Sequence, residues 1–213
     1  MHIAEGYLPV THAAAWTLLA APAVVWSHRS LDLAGVSRHR RLLLAASAGF
    51  LFALTALKFP SVAGSSSHPT GIVLGTILLG MRVMPVLAAL VLVFQALLLA
   101  HGGLTTLGAN VFSLGIAGPL AVAFVGRLQG GLRLPDSVGL VLATVAGSFA
   151  TYATTAVQLA VAFPDPASGV TGSLGRFMAV FAVAQVPVAL LESLFTVMVW
   201  KSLPLEMRTL EAQ

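Results

Sequence analysis

The chain contains 213 residues, of which 58% are hydrophobic and only 8% are Asp, Glu, Lys or Arg. An average globular protein has about 25% charged residues, so this composition excludes a soluble domain and predicts an all-α integral membrane protein. The net charge of +4 is explained by basic residues beside apolar runs rather than by a nucleic-acid-binding face. The absence of cysteine excludes disulfides, iron–sulfur clusters and thiolate metal sites.

The N-terminal segment, residues 1–9 (MHIAEGYLP), differs from a cleaved signal peptide because no basic residues precede an apolar core. The large side chain of His2 predicts that Met1 is retained, since removal of an initiator methionine requires a small second residue. We therefore expect this segment, with its free α-amine, to belong to the mature protein.

Seven apolar runs separated by helix breakers predict seven membrane helices in a single polytopic domain, residues 1–213. The predicted helices are 10–27, 42–58, 70–80, 84–100, 106–126, 137–163 and 177–200. The third is too short to cross about 30 Å of hydrocarbon alone. We therefore expect it to be tilted, broken or packed beside a re-entrant loop.

The basic residues predict the orientation of these helices. With seven spans, nine of the eleven basic residues fall on one side of the membrane, four of them in the loop 28–41. The nine are Arg29, Arg38, Arg40, Arg41, Arg82, Arg127, Arg133, Lys201 and Arg208, whereas Lys58 and Arg176 fall on the other side. The positive-inside rule then places the C-terminus in the cytoplasm and the N-terminus outside, together with loops 59–70 and 101–106.

The pair Met1–His2 offers an unusual set of metal ligands. The α-amine of Met1 and the amide and imidazole nitrogens of His2 can close two fused chelate rings on one ion. Such a planar nitrogen set suits Ni(II), Cu(II) and low-spin Co(II). A histidine from another loop would complete the plane, and topology favours His68. The alternative is a chance histidine in a frayed terminus.

Two polar segments provide further candidate residues. In loop 59–70 (FPSVAGSSSHPT), hydroxyl groups near His68 can orient an imidazole or satisfy the loop backbone. They belong to Ser65, Ser66, Ser67 and Thr70. The alternative is an ordinary exposed turn. Segment 101–119 supplies His101 and Asn110, which we expect to support the ligands rather than bind the ion; its small residues also favour close helix packing.

Two features of the predicted helices leave alternatives open. Glu192 lies inside the last helix without a nearby basic residue, so it must face the bundle interior, find donors or stay protonated. Both proton coupling and a buried structural hydrogen bond fit this position. Ala45, Gly49 and Ala53 form a small-residue face on the second helix, which permits tight packing within the subunit or against another membrane protein.

The motifs quoted above resemble one family. MHIAEGYLP, KFPSVAGSSSHPTGIVLG and HGGLTTLGANVFSLGIAGP are similar to the substrate-binding (S) subunits of energy-coupling-factor cobalt/nickel transporters, in the cobalt branch, over nearly the whole chain. The resemblance implies a seven-helix bundle in the bacterial inner membrane, with one metal ion bound by Met1, His2 and His68.

The resemblance also implies partners. They are a transmembrane coupling subunit, two ATPase subunits and a small accessory membrane subunit, and the imported cobalt supplies cobalamin synthesis. The small-residue face of the second helix is then a candidate contact with the coupling subunit. The lack of a G-x-x-x-x-G-K-[ST] phosphate loop agrees with ATPases on other chains.

Several alternatives remain at this stage. Nickel suits the same nitrogen ligands as cobalt. A secondary transporter or channel for metal ions could use Glu192 as a proton relay. An intramembrane hydrolase would use one of the loop serines with a histidine, although no nucleophile motif is present.

Overall fold

The computed structural model of the chain describes residues 2–31, 37–57, 59–60 and 65–203. Within these residues the chain forms seven helices. They are α1 (Val10–Ser30), α2 (Arg38–Thr55), α3 (Ile72–Leu79), α4 (Met84–Leu99), α5 (Leu107–Leu132), α6 (Asp136–Ala162) and α7 (Gly169–Ser202). Each predicted apolar run coincides with one of these helices, which confirms the all-α membrane fold.

The helices differ in length. By length and composition, α1, α5, α6 and α7 are long and apolar enough to cross a membrane, whereas α2 and α4 are shorter. Helix α3 has eight residues and is about 12 Å long, so it cannot cross the hydrocarbon alone. The count of seven spans and the orientation of the termini stay predictions. Of the residues used to orient the bundle, Lys58 and Arg208 lie outside the described residues.

Large apolar side chains cover the outer surface of the bundle. Leu18, Val183 and Leu191 are 68–77% exposed, as expected for side chains that face lipid rather than water. The small-residue face of α2 is exposed as well, at Ala45, Gly49 and Ala53. It therefore does not form a packing surface inside this subunit.

Helix α5 packs closely against its neighbours and contains an irregular turn. Residues Phe112–Ala117 form a π-helical segment, a feature that often occurs at functional sites. Gly115 faces α4 so closely that a Cβ atom there would lie 2.9 Å from the Cβ of Ala88. The glycines of this segment therefore serve close helix packing, as one interpretation of the sequence proposed.

A three-stranded antiparallel sheet caps one end of the bundle. Its strands are β1 (His2–Ile3), β2 (Phe59–Pro60) and β3 (Ser65–Ser67), in the order β1–β3–β2. His2 pairs with Ser66 and Ile3 with Ser65. The sequence predicts an irregular loop here. Instead, in the described part of the loop, Ser65–Ser67 pairs with the N-terminal segment, because unpaired buried amides are costly.

Candidate metal centre

Three histidines from distant parts of the chain meet beneath this sheet. His2, His68 and His101 are at most 2% exposed. The ring centroid of His2 lies 4.3 Å from that of His68 and 4.4 Å from that of His101, and the two loop rings are 5.2 Å apart. The ring nitrogens that face one another all lie within 4.8 Å. The three segments predicted to share one side of the membrane therefore meet at one end of the bundle.

His2 is positioned by the strand to which it belongs. On one side β1 pairs with β3. On the other side, the side chain of Asn110 acts like a neighbouring strand: its Oδ1 accepts the Ile3 N–H at 2.8 Å and its Nδ2 donates to the Ile3 carbonyl at 3.0 Å. Thr106 Oγ1 donates to the same carbonyl at 2.8 Å. The N-terminal strand is thus held on both edges.

The residues after β1 are fixed by the loop before α5. The Thr105 N–H donates to both Glu5 carboxylate oxygens, at 3.3 and 3.2 Å, and the Gly6 N–H donates to Thr105 Oγ1 at 3.0 Å. Hydrogen bonds from Thr105 lower the pKa of Glu5, and the bond from the Thr105 side chain has the largest effect. Gly103 lies against Glu5 so closely that a Cβ there would collide with its backbone. The glycine-rich HGG segment therefore permits this close approach.

The ring of His68 is oriented by its own backbone. Its Nδ1 lies 2.8 Å from the Pro69 carbonyl oxygen, and because a carbonyl only accepts, Nδ1 carries the proton. Nε2 is then the lone-pair nitrogen. It is buried and has no hydrogen-bond partner among the described residues, and the same holds for both ring nitrogens of His2. Buried polar atoms are normally satisfied, so these nitrogens indicate a ligand.

Burial keeps the two rings neutral. Desolvation lowers the pKa of His2 well below its ordinary value, and the neighbouring His68 lowers it further. Burial likewise lowers the pKa of His68. Neutral imidazoles present the lone pairs that a metal ion requires. The centre is therefore ready to bind a cation without first losing ring protons at neutral pH.

A carboxylate from α7 holds the other side of the His68 loop. Glu192 is 2% exposed and accepts hydrogen bonds from the Thr70 N–H, the Thr70 hydroxyl and the Gly71 N–H. The sequence left two roles open for Glu192, proton coupling and a buried structural hydrogen bond, and the structure shows the hydrogen-bonded arrangement. Thr70 supports the loop through this carboxylate rather than by contacting an imidazole.

The remaining predicted residues are placed as follows. Met1 lies outside the described residues, and of Ser65, Ser66 and Ser67 only the backbone is described. His101 belongs to the histidine cluster itself. The sequence had assigned it only a supporting role. Its position follows from a tight turn after α4, where Ala100 has φ 47° and the His101 N–H donates to the Gln95 carbonyl at 3.1 Å.

Sequence reasoning missed three residues of this centre. Glu5, Thr105 and Thr106 fix the N-terminal segment, but their partners lie about one hundred positions away along the chain. The sequence offered one signal for them. Two adjacent threonines follow a glycine-rich segment, and a single acidic residue lies near the N-terminus.

The donor set determines which ions suit this centre. Within the described residues, the only cluster of three metal-ligating side chains that could hold an ion consists of these histidines. Neutral imidazoles favour transition metals such as cobalt, nickel, copper and zinc, whereas magnesium and calcium prefer oxygen ligands. The chemistry therefore points to a transition-metal cation.

Comparison with known proteins agrees with this chemistry. A family model described as "Cobalt uptake substrate-specific transmembrane region" matches residues 2–207. "Cobalt transport protein CbiM 1" of Pelobacter propionicus is 52% identical over 204 residues, covering 95% of this chain and 90% of the relative. "Cobalt transport protein CbiM" of Streptomyces coelicolor is 53% identical over 205 residues, covering 95% and 88%.

The fold has also been seen before. The crystal structure of a truncated transition metal transporter superposes with a TM-score of 0.79 at 23% identity, covering 94% of this chain and 97% of that chain. At this identity the likeness shows a common fold. Since the family model spans nearly the entire sequence, the chain belongs to the cobalt uptake substrate-specific transmembrane family, CbiM, and is a multi-pass membrane transport protein.

Proposed function

We propose that the chain captures Co(II) at the extracytoplasmic side of the bacterial inner membrane, as the substrate-binding subunit of an ATP-driven importer. The ligands are the α-amine of Met1, the amide and imidazole nitrogens of His2, and Nε2 of His68. The observation that carries the proposal is the buried cluster of neutral imidazoles, with unpartnered nitrogens of His2 and His68 within the described residues. The names of the relatives support cobalt as the cargo.

The position of His2 supports a contribution from the N-terminus. The imidazole of His2 belongs to the buried cluster, and we expect the amide nitrogen of the same residue to bind the ion with it. The hydrogen bonds of Ile3 on both strand edges hold His2 at a fixed position relative to His68. In the proposal, the residue before His2 then supplies its α-amine as the third nitrogen of the fused chelate.

The importer requires other chains. The sequence contains no phosphate-binding loop, which supports ATP hydrolysis on other chains. As the family resemblance implies, these are two ATPase subunits, joined by a transmembrane coupling subunit and a small accessory membrane subunit. The exposed small-residue face of α2 is the surface that we assign to the coupling subunit, since it is not used inside this subunit. The imported cobalt supplies cobalamin synthesis.

The alternative functions fit less well. A gradient-driven transporter with Glu192 as proton relay conflicts with a carboxylate whose two oxygens accept three hydrogen bonds. An intramembrane hydrolase conflicts with membership in a transport family.

The free amine provides the test. Inserting one leucine between Met1 and His2 keeps a large second residue, so that Met1 is retained, and places an extra peptide unit between the amine and the imidazole. We therefore expect Co(II) binding by the purified protein to be lost. A matched control carries the same leucine after Gln213, where binding should be unchanged. Isothermal titration with Co(II) and with Ni(II) measures both variants, and mass spectrometry verifies the N-terminus. Normal affinity in the insertion variant would refute the ligand set.

A further inference from the structure

The strongest unassigned feature is the contact between Glu192 and the segment after His68. Glu192 Oε2 accepts the Thr70 N–H at 2.8 Å, and Oε1 accepts the Thr70 hydroxyl at 2.7 Å and the Gly71 N–H at 2.6 Å. All three donors belong to two residues that lie more than 120 positions from the acceptor. A single buried carboxylate therefore connects α7 to the loop that carries a metal ligand.

These donors lie at the start of α3. The first amides of a helix have no partner within the helix, and Gly71 is the residue before the first turn, with φ 65°. The N-cap residue Gly71 offers no side-chain cap, and Thr70 Oγ1 accepts the Ile72 N–H at 3.4 Å. Glu192 adds a cap from another helix, and a carboxylate is favoured at this positive end of the helix. Hydrogen bonds to a charged acceptor are also stronger than neutral ones.

The same contact determines where His68 points. Thr70 follows directly after Pro69, whose carbonyl oxygen holds Nδ1 of His68 at 2.8 Å. The Pro69 carbonyl and the Thr70 N–H belong to one planar peptide unit, so holding that N–H on Glu192 also fixes the direction of the carbonyl. Nε2 is then the nitrogen of His68 that is left to bind a cation, in a ring whose centroid lies 4.3 Å from that of His2. Thr70 and His2 also line the same small pocket.

We propose that Glu192 is a positioning residue for metal binding: through Thr70 and Gly71 it holds the Pro69 carbonyl that orients His68. This inference rests on the proposed function, because it requires that His68 binds the metal. It assigns the one acidic residue buried in α7 to preorganisation of the site rather than to proton transfer.

The test compares two neighbours on α7. Glu192→Gln keeps the size of the side chain but presents an amide donor where an acceptor is needed, so we expect Co(II) affinity to fall about 10-fold or more, as for other residues that orient ligands. Ser193→Ala is the matched control. This serine is also buried but donates to the Ala189 carbonyl within its own helix, and its removal should leave the affinity unchanged.

Two further measurements separate positioning from general damage. At saturating Co(II), the visible absorption spectrum of Glu192→Gln should match that of the wild type, because the ligands are the same. Thr70→Ser retains the hydroxyl donor and should bind normally, whereas Thr70→Val should weaken binding. If both residues act through one contact, their effects on affinity should not add. Glu192→Gln should therefore lower the Co(II) affinity less in a protein that already carries Thr70→Val than in the wild type.

The outcomes are distinguishable. If His68→Ala binds Co(II) normally, the proposed function fails. If His68→Ala loses binding but Glu192→Gln retains full affinity, or changes the spectrum, the positioning role is overturned. A loss in Ser193→Ala as large as in Glu192→Gln also overturns it. If Glu192→Gln does not fold, the Thr70 pair decides: equal affinities of Thr70→Ser and Thr70→Val refute the proposal.

Discussion

The three histidine rings are close enough for one ion, but they are held by different means. Two nitrogens about 2.0–2.1 Å from one metal ion are at most about 4 Å apart. The facing nitrogens here all lie within 4.8 Å of one another, so binding requires movements below about 1 Å. Of the two loop histidines, His68 is oriented by a carbonyl contact at Nδ1, whereas His101 is placed by the turn that ends α4.

This difference leads to a prediction for the two loop histidines. His68→Ala removes a ligand, and we expect Co(II) affinity to fall by more than about 100-fold, beyond the range typical of residues that only support ligands. His101→Ala should lower the affinity by about 10- to 100-fold. Titration of the purified variants with Co(II) measures both. His28→Ala is the control, since this residue is exposed at the end of α1. Equal losses at positions 68 and 101 would make His101 a ligand.

At the level of elements, the site depends on docking the N-terminal strand. Ile3 is fully buried, in a cluster that includes Ala109 of α5, Leu159 of α6 and Phe181 of α7. Its backbone is paired with β3 on one edge and with Asn110 on the other. Apolar burial supplies most of the docking free energy, and the polar contacts set the register.

Asn110 is the residue that tests this docking. Asn110→Leu leaves the buried Ile3 N–H without its acceptor, which costs about 1–3 kcal/mol. We therefore expect Co(II) affinity to fall by about 5- to 100-fold, because the strand is displaced more often. Gln158→Leu is a matched control: it also removes a buried amide that contacts α5, at the Ala109 carbonyl, but not the strand. Titration and thermal unfolding of the metal-free proteins measure both, and equal affinities would refute the docking role.

The sequence was informative about helices and less so about what connects them. Apolar runs identify each helix because lipid exposure requires apolar side chains over its whole length. The start of α7 was missed, since it lies at Gly169 rather than at residue 177. Here Arg176 and several glycines interrupt the apolar run, and Arg176 pairs with Asp165 of the preceding loop. The strands were missed because two or three residues are too few for a periodic pattern.

The metal centre was predictable only in part, for a similar reason. His2 and His68 are identified by local chemistry, namely an N-terminal chelate and a polar loop between apolar helices. The partners of Glu192 and of Asn110 are more than one hundred residues away. Which donor reaches which acceptor depends on how the helices pack, and no local pattern encodes that.

On the scale of the whole molecule, the proposed function separates metal capture from energy supply. All the proposed ligands and the residues that position them lie at one end of the bundle, on the N-terminal strand, the His68 loop and the start of α5, with α7 as their anchor. The rest of the described surface is dominated by apolar helices. Under the proposed function, capture is a property of this chain, whereas concentration of the ion against a gradient requires partners.

Reconstitution in vesicles tests this separation. The chain alone should bind Co(II) but should not accumulate it, because the sequence has no phosphate-binding loop and Glu192 is occupied by Thr70 and Gly71. Adding the coupling, ATPase and accessory subunits with ATP should produce uptake, measured with radioactive cobalt. The same assembly with His68→Ala is the control and should remain inactive. Uphill accumulation by this chain alone, driven by a pH gradient, would instead establish a secondary transporter.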